Sequence, residues 1–196
     1  MSILITGFEA FGSRKTNNSF EIAKAFKNRD DVKVLCLPVS FADAHREVIN
    51  QIEKQSFDII IMLGETASTN DCLRLERVAI NLKDSITTDN DGIAANEEIL
   101  IEGAPNAYLT KFSIRKITHY LKGAGYPVKE SNSAGTFICN SLYFHVLHYI
   151  ETYKLTTKAL FVHVPSTSQI ISLDEMKNTV DEIFKISLTH IKTQSK

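Results

Sequence analysis

Short apolar runs alternate with helical periodicities along the chain, and each class of pattern predicts its own element. Ile3–Thr6 is a β-rich run ending at Gly7 and predicts a buried strand. Asn18 stands three residues before Glu21, the spacing of a helix start. Val32–Leu37, closed by Pro38, predicts a second strand, and Phe41, Ala44, Val48 and Ile52 then recur at helical spacing. Asp58–Leu63 predicts a third buried strand ending at Gly64. Leu73–Leu82 mixes apolar and charged positions and predicts extended chain. Asp84 to Ala107, rich in Asp, Asn and Gly, predicts mostly loop.

Beyond it, Ile114, Ile117, Thr118 and Leu121 fit one helical face that Gly123 and Gly125 would stop. Val128–Asn132 predicts a short strand. Tyr143, Val146, Leu147 and Ile150 mark another helical face, and Ala159–Val164 a strand ended by Pro165. Ser172 with Glu175 forms a capping box ahead of a long terminal helix carrying Leu173, Met176, Val180, Ile183, Phe184 and Ile191. Strands alternating with helices predict an α/β fold with a mainly parallel sheet covered on both faces. Ligands in such folds bind beyond the carboxyl ends of the strands. Here those ends are Gly7-Phe8, Gly64-Glu65, Asn132–Gly135 and His163–Pro165.

Composition narrows the function classes. The chain has 196 residues, which with no repeat, linker or compositional break predicts one domain over 1–196. Lys plus Arg total 22 against 23 Asp plus Glu. That balance offers no cationic footprint for nucleic acid or an anionic membrane. The segment Met1–Gly7 lacks a basic region and a signal-length apolar run, and no stretch approaches the ~20 apolar residues that cross a bilayer. Three widely spaced cysteines, Cys36, Cys72 and Cys139, then predict reduced thiols and a cytoplasmic setting.

The sharpest local pattern is Ser131-Asn132-Ser133-Ala134-Gly135-Thr136-Phe137-Ile138-Cys139-Asn140, a loop of small residues leading into a helix. Cys139 falls in the first turn, where exposed N–H groups and the helix dipole favour a thiolate and an oxyanion alike. Position alone favours the plainer reading, a cysteine packed between helix and sheet, because free Cys is among the most buried residue types. His163, at the carboxyl end of the last strand, reads equally as a proton-transfer partner or as a satisfied core histidine. Glu76, in an otherwise apolar stretch, would orient that imidazole or pair with an arginine such as Arg74. A Cys–His–carboxylate set suits acyl transfer, but spacing alone does not establish it. His145 and His148 lack a carboxylate set that would make a metal site, and His45, His119 and His190 read as solvated helix residues. Gly7 and Gly12 are not followed by the Lys-Ser/Thr of a phosphate loop, and no GxGxxG occurs, so no cofactor is expected.

Five segments taken together resemble the pyroglutamyl peptidase I, or pyrrolidone-carboxylate peptidase, family. They are Thr6-Gly7-Phe8-Glu9-Ala10-Phe11-Gly12, Glu76-Arg77-Val78-Ala79-Ile80-Asn81, Gly103-Ala104-Pro105-Asn106-Ala107-Tyr108, Ser133–Asn140 and Phe161-Val162-His163-Val164-Pro165. Their order and spacing agree over nearly the whole chain, which outweighs the plainer reading of each residue alone. The resemblance implies a three-layer α/β/α sandwich of the phosphorylase/hydrolase-like kind. It implies a cysteine exopeptidase that removes N-terminal pyroglutamate from peptides, and a homo-oligomer, tetramer or dimer. Cys139 would be the nucleophile, His163 the base and acid, and Glu76 the orienting carboxylate. Phe8, Phe11, Glu65, Phe137 and Ile138 would bind substrate, with aromatic walls around a flat, neutral lactam.

Two departures from the family pattern stand out. The family's Gly-Arg pair after the glycine equivalent to Gly64 is absent from Glu65–Asp71, and its arginine ten residues after the glutamate is Ile86 here. Outright loss of an oxyanion donor costs on the order of 10²–10³ in rate. The segment Ser166–Gln169 also differs from the usual tyrosine-containing string. These changes leave two further readings, a weakened or substrate-shifted relative acting on another N-blocked peptide or small amide, and a non-catalytic binder.

Overall fold

The computed structural model describes residues 2–66, 72–166 and 170–194, with side chains to residue 189. Its strands are β1 (Ile3–Phe8), β2 (Val32–Leu37), β3 (Ile59–Thr66), β4 (Leu73–Glu76), β5 (Val78–Ile80), β6 (Lys83–Ser85), β7 (Ala95–Glu98), β8 (Ala107–Leu109), β9 (Val128–Ser131) and β10 (Lys158–Pro165). Its helices are α1 (Asn18–Lys24), α2 (Ala44–Lys54), α3 (Ile114–Gly123), α4 (Ile138–Thr152) and α5 (Leu173–Gln194). Six strands form one sheet in the order β2-β1-β3-β10-β4-β9, all adjacent pairs parallel except β10 with β4.

The strands of the sheet's middle are apolar on both faces because both are covered. Ile3, Ile5, Ile61, Leu63, Leu160 and Val162 pack against α1, α3 and α5, while Leu4, Ile60, Met62 and Phe161 pack against α2 and α4. This is the α/β/α sandwich the sequence predicts. The region expected to be mostly loop holds a hairpin of β6 with β7 and the strand β8, which pairs with β5. Those strands escape notice because Lys83-Asp84-Ser85 and Ala95-Asn96-Glu97-Glu98 carry no apolar alternation.

Local chemistry sets the element ends. The α1 cap is Asn17, one residue before the expected Asn18, because Asn17 accepts from the Ser19 N–H at 3.0 Å while the Asn18 N–H is directed elsewhere. Gly7 is required by packing: a Cβ there would lie 2.5 Å from backbone atoms of Ser19 and Phe20. That close approach lets the Ser19 hydroxyl accept from the Phe8 N–H at 2.9 Å, fixing the start of α1 over the end of β1. Helix α3 stops at Gly125, whose φ of +84° permits bonds from Tyr126 N–H to Leu121 C=O and from Gly125 N–H to Lys122 C=O. The Ser172–Glu175 capping box forms in both directions, at 2.7 and 3.2 Å.

One expectation is corrected. His45 is not a solvated helix residue: its ring stacks on His145 with centroids 3.9 Å apart, joining α2 to α4. Burial, reinforced by the neighbouring His145, lowers its pKa to about 4. His119 is exposed, and the His190 side chain lies outside the described residues.

The layered packing predicts a sharp contrast in urea unfolding. Ile61, fully buried in β3, should lose about 2–5 kcal/mol on substitution by alanine. Ile86, fully exposed, should lose less than about 0.5 kcal/mol.

Candidate active site

The single antiparallel strand in the sheet brings an acid to a histidine. Glu76 on β4 lies directly opposite Phe161 on β10, and His163 lies opposite Arg74. Residues opposed across an antiparallel pair share a face, so Glu76 and His163 are diagonal neighbours within side-chain reach. The His163 Nδ1–H donates to Glu76 Oε1 at 2.8 Å. Glu76 is fully buried, and its second oxygen has no hydrogen-bond partner among the described residues. The carboxylate is therefore directed at the imidazole, and the alternative pairing with Arg74 does not form with this acid.

With Nδ1 committed to the acid, the second ring nitrogen is the one available to Cys139, whose sulfur interacts electrostatically with the ring. Burial pulls the His163 pKa down, but the Cys139 sulfur and the Glu76 carboxylate outweigh it and hold it at about 9. An imidazole at neutral pH in this setting carries its second proton.

Cys139 stands in the first turn of α4, whose N-cap is Phe137. Phenylalanine supplies no side-chain acceptor, so the N–H groups that a Ser, Thr, Asn or Asp would satisfy are left uncapped beside the sulfur. The helix end is instead held by its flanks. Asn140, fully buried, accepts from the Ile80 N–H and donates to the Ile80 and Leu82 carbonyls, each at 2.9 Å. Thr136 donates to the Asp84 carbonyl at 2.6 Å, and the Tyr143 hydroxyl donates to the Glu76 carbonyl at 3.1 Å. Gly64 at the end of β3 leaves room for the thiol: a Cβ there would sit 2.8 Å from Cys139 Sγ and 2.7 Å from the Phe161 ring.

A cavity of about 330 Å³ opens on the sulfur, lined by Phe8, Phe11, Val39, Phe137 and Ile138 as apolar walls and by Arg14, Asn17, Glu65 and Ser166. Phe137 is itself walled by Phe11 and by Phe41, with ring centroids at 5.7 and 5.3 Å. All five residues expected to bind substrate therefore line one space with Cys139. His163 itself lines a second, polar cleft together with Thr66, Arg74, Lys129, Ser131 and Ser133 among others.

Several contributors are not evident from sequence reasoning. Arg14 and Asn17 sit in a stretch with no apolar pattern. Asn140 had a signal, a lone amide on an otherwise apolar helix face, and Phe137 another, an aromatic where a capping residue belongs. Ile86, where the resembled family carries an arginine, is fully exposed and does not line the cavity. The departures at 67–71 and 167–169 lie outside the described residues. Among the described residues no group of three His, Cys, Asp or Glu is placed to hold a metal ion.

Comparison with known proteins points the same way as the geometry. The family model described as pyroglutamyl peptidase matches residues 1–190. A pyrrolidone-carboxylate peptidase of Thermococcus kodakarensis is 39% identical over 84% of this chain and 81% of that protein. One from Brachyspira hyodysenteriae is 35% identical over 98% of each. Among solved structures, pyrrolidone carboxyl peptidase from Thermococcus litoralis superposes with a TM-score of 0.90 at 32% identity, covering 98% of this chain and 96% of that one. The Fervidobacterium islandicum enzyme gives 0.85 at 32% identity, covering 94% and 96%.

The polar contacts predict how His163 titrates. Its folded pKa lies above the ordinary 6.5, so the stability it contributes is complete below about pH 6.5 and is lost as pH rises through about 9. In Glu76→Gln the imidazolium loses a negative neighbour, and its NMR-detected midpoint should fall from about 9 toward 6.5. An unchanged midpoint would contradict the coupling.

Proposed function

This chain belongs to the pyroglutamyl peptidase family, and from that premise we propose that Cys139, His163 and Glu76 carry its cysteine-peptidase reaction. The observation that supports this most is a buried imidazole that bonds a carboxylate through Nδ1 and interacts electrostatically with the Cys139 sulfur, which faces an aromatic cavity. In the proposed sequence the Cys139 sulfur, its proton held by His163, attacks the carbonyl carbon of the pyroglutamyl residue. A C–S bond forms, and the carbonyl electrons move to oxygen, where the uncapped N–H groups at the start of α4 stabilise the oxyanion. Collapse of the intermediate breaks the C–N bond as the His163 imidazolium protonates the leaving amine. Water, deprotonated by the now neutral His163, then releases pyroglutamate from the thioester. Glu76 holds the imidazole in one tautomer and stabilises its cation throughout.

Substrate size and polarity fit the same reading. A five-membered lactam is flat and uncharged, which suits a cavity walled by Phe8, Phe11, Phe137 and Ile138. An unmodified N-terminus would have to shed the hydration of its ammonium group to enter among those rings. The peptide beyond the scissile bond would run over the polar cleft beside Arg74 and Lys129, on the His163 side that delivers the proton. Family likeness further supports a single domain over 1–196, a homo-oligomer, tetramer or dimer, and a cytoplasmic setting. All three cysteines are free thiols, as a reducing compartment requires. No helix among the described residues is long and apolar enough to cross a membrane.

A fluorogenic pyroglutamyl amide, with the matching prolyl amide as control, tests the assignment. Wild type should cleave the first and spare the second, and Cys139→Ala should lose on the order of 10⁴-fold or more in kcat. The kcat/KM profile should fall above about pH 9 as His163 loses its proton, and Glu76→Gln should move that limb to lower pH. Cleavage that survives Cys139→Ala would overturn the proposal.

A further inference from the structure

Polar groups in the apolar cavity are few, and two of them form a unit. Arg14 Nη1 donates to Glu65 Oε2 at 2.5 Å. The unit is anchored from both ends: Glu65 Oε1 accepts from the Asn18 N–H at 2.6 Å, and Arg14 Nη2 donates to the Ser166 carbonyl at 3.2 Å. Asn18 also donates from its amide to the Pro165 and Ser166 carbonyls, at 3.0 and 3.1 Å, tying the start of α1 to the end of β10. Asn17, the other amide on this wall, has its oxygen taken by the Ser19 N–H and hydroxyl and one N–H by the Glu9 carbonyl, so it holds no adjacent donor–acceptor pair in reserve.

The anchored pair keeps hydrogen-bonding capacity to spare. A guanidinium has five N–H donors and a carboxylate about four acceptor sites. Two of each are used here among the described residues. The pair is only partly sheltered, the Arg14 side chain being 37% exposed, and an ion pair so placed adds little to stability, which is therefore a weak reason for its presence. Burial acts on it directly, raising the Glu65 pKa against the opposing pull of Asn18 and Arg14. What remains is a donor placed beside an acceptor, both fixed, on the wall of the cavity that holds Cys139.

That arrangement complements one kind of amide. In a five-membered lactam the peptide unit is cis, so its N–H and C=O leave the ring along the same edge. An open-chain trans amide points them in opposite directions. We propose that Arg14 is a specificity-determining residue, donating to the lactam C=O while its partner Glu65 accepts the lactam N–H. The inference rests on the pyroglutamyl peptidase reading and deepens it. Both contacts are charge-assisted. A site built to hydrogen-bond two substrate groups discriminates strongly against analogues lacking them, since its own groups are then left unpaired. An N-terminal proline has no ring carbonyl and would leave the guanidinium donor without its acceptor.

The lactam alone provides the test, without requiring turnover. Alkylation of Cys139 by iodoacetamide is followed by mass spectrometry of its peptide, which separates it from exposed Cys36 and from Cys72. The probe is 2-pyrrolidone, compared with cyclopentanone, which keeps the ring and carbonyl but lacks the N–H. In wild type 2-pyrrolidone should protect at a concentration at least about tenfold lower than cyclopentanone. Arg14→Gln should raise the half-protecting concentration of 2-pyrrolidone about tenfold or more, and should raise KM for the pyroglutamyl amide more than it lowers kcat. The ligand-free alkylation rate, read in the same samples, separates a change in the thiol from a change in lactam binding. Arg14→Lys keeps the charge but not the fork, and should show a loss of at least about threefold should the glutamine variant not fold. Undiminished protection in either folded variant, or equal protection of wild type by the two ring compounds, overturns the proposal. A wild type that is protected yet does not cleave the pyroglutamyl amide would instead overturn the peptidase reading.

Discussion

A single hydrogen bond between buried groups, from His163 to Glu76, organises the working end of this molecule. A carboxylate sealed from water is tolerable only when something with a proton faces it. Here that partner is an imidazole that also interacts electrostatically with the Cys139 sulfur. The arrangement exists because β4 runs against β10, whereas the other neighbour of each, β9 and β3, runs parallel to it. A parallel β4 would alter the register and separate the two residues. Topology therefore sets the electrostatics, and the electrostatics hold a proton on His163 well above the pH at which a free histidine would release it.

Around that bond the structure is fastened by groups that are not themselves reactive. Asn140 joins the first turn of α4 to β5 and the residue after Asn81, and Thr136 joins the preceding loop to Asp84. Tyr143, one turn beyond Cys139, bonds the backbone of Glu76. Each fastening is worth about 1 kcal/mol on its own. Together they fix the sulfur relative to the imidazole, and in the proposed reaction small displacements there would cost large factors in rate. The aromatic cavity wall is braced likewise, Phe137 being held between Phe11 and Phe41.

Much of this was legible in the chain. The buried strands announce themselves by apolar runs, α3 by its three-four spacing, and α5 by the Ser172–Glu175 box, because in each the local pattern and the tertiary demand agree. The five motifs identified the family, and with it which Cys, His and Glu to consider. Other features were hidden for physical reasons. The β6–β7 hairpin is made of polar residues and so carries no period. The placement of Arg14 against Glu65 spans 51 positions and depends on how α1 docks over β3. The stacking of His45 on His145 depends on the packing of two helices. Spacing along a chain reports faces, not which faces meet.

The aromatic residue that begins α4 has a further meaning. Helix starts are ordinarily sealed by a hydroxyl or amide oxygen, worth about 1 kcal/mol, and Phe137 forgoes it. A serine in its place would offer its own oxygen to the N–H groups that the proposed reaction reserves for an incoming carbonyl, so that the protein would act as its own competitive ligand. Ground-state firmness and readiness for an anion are thus opposed at one position, and the fold has settled the contest by recruiting firmness from Asn140 and Thr136 at a distance.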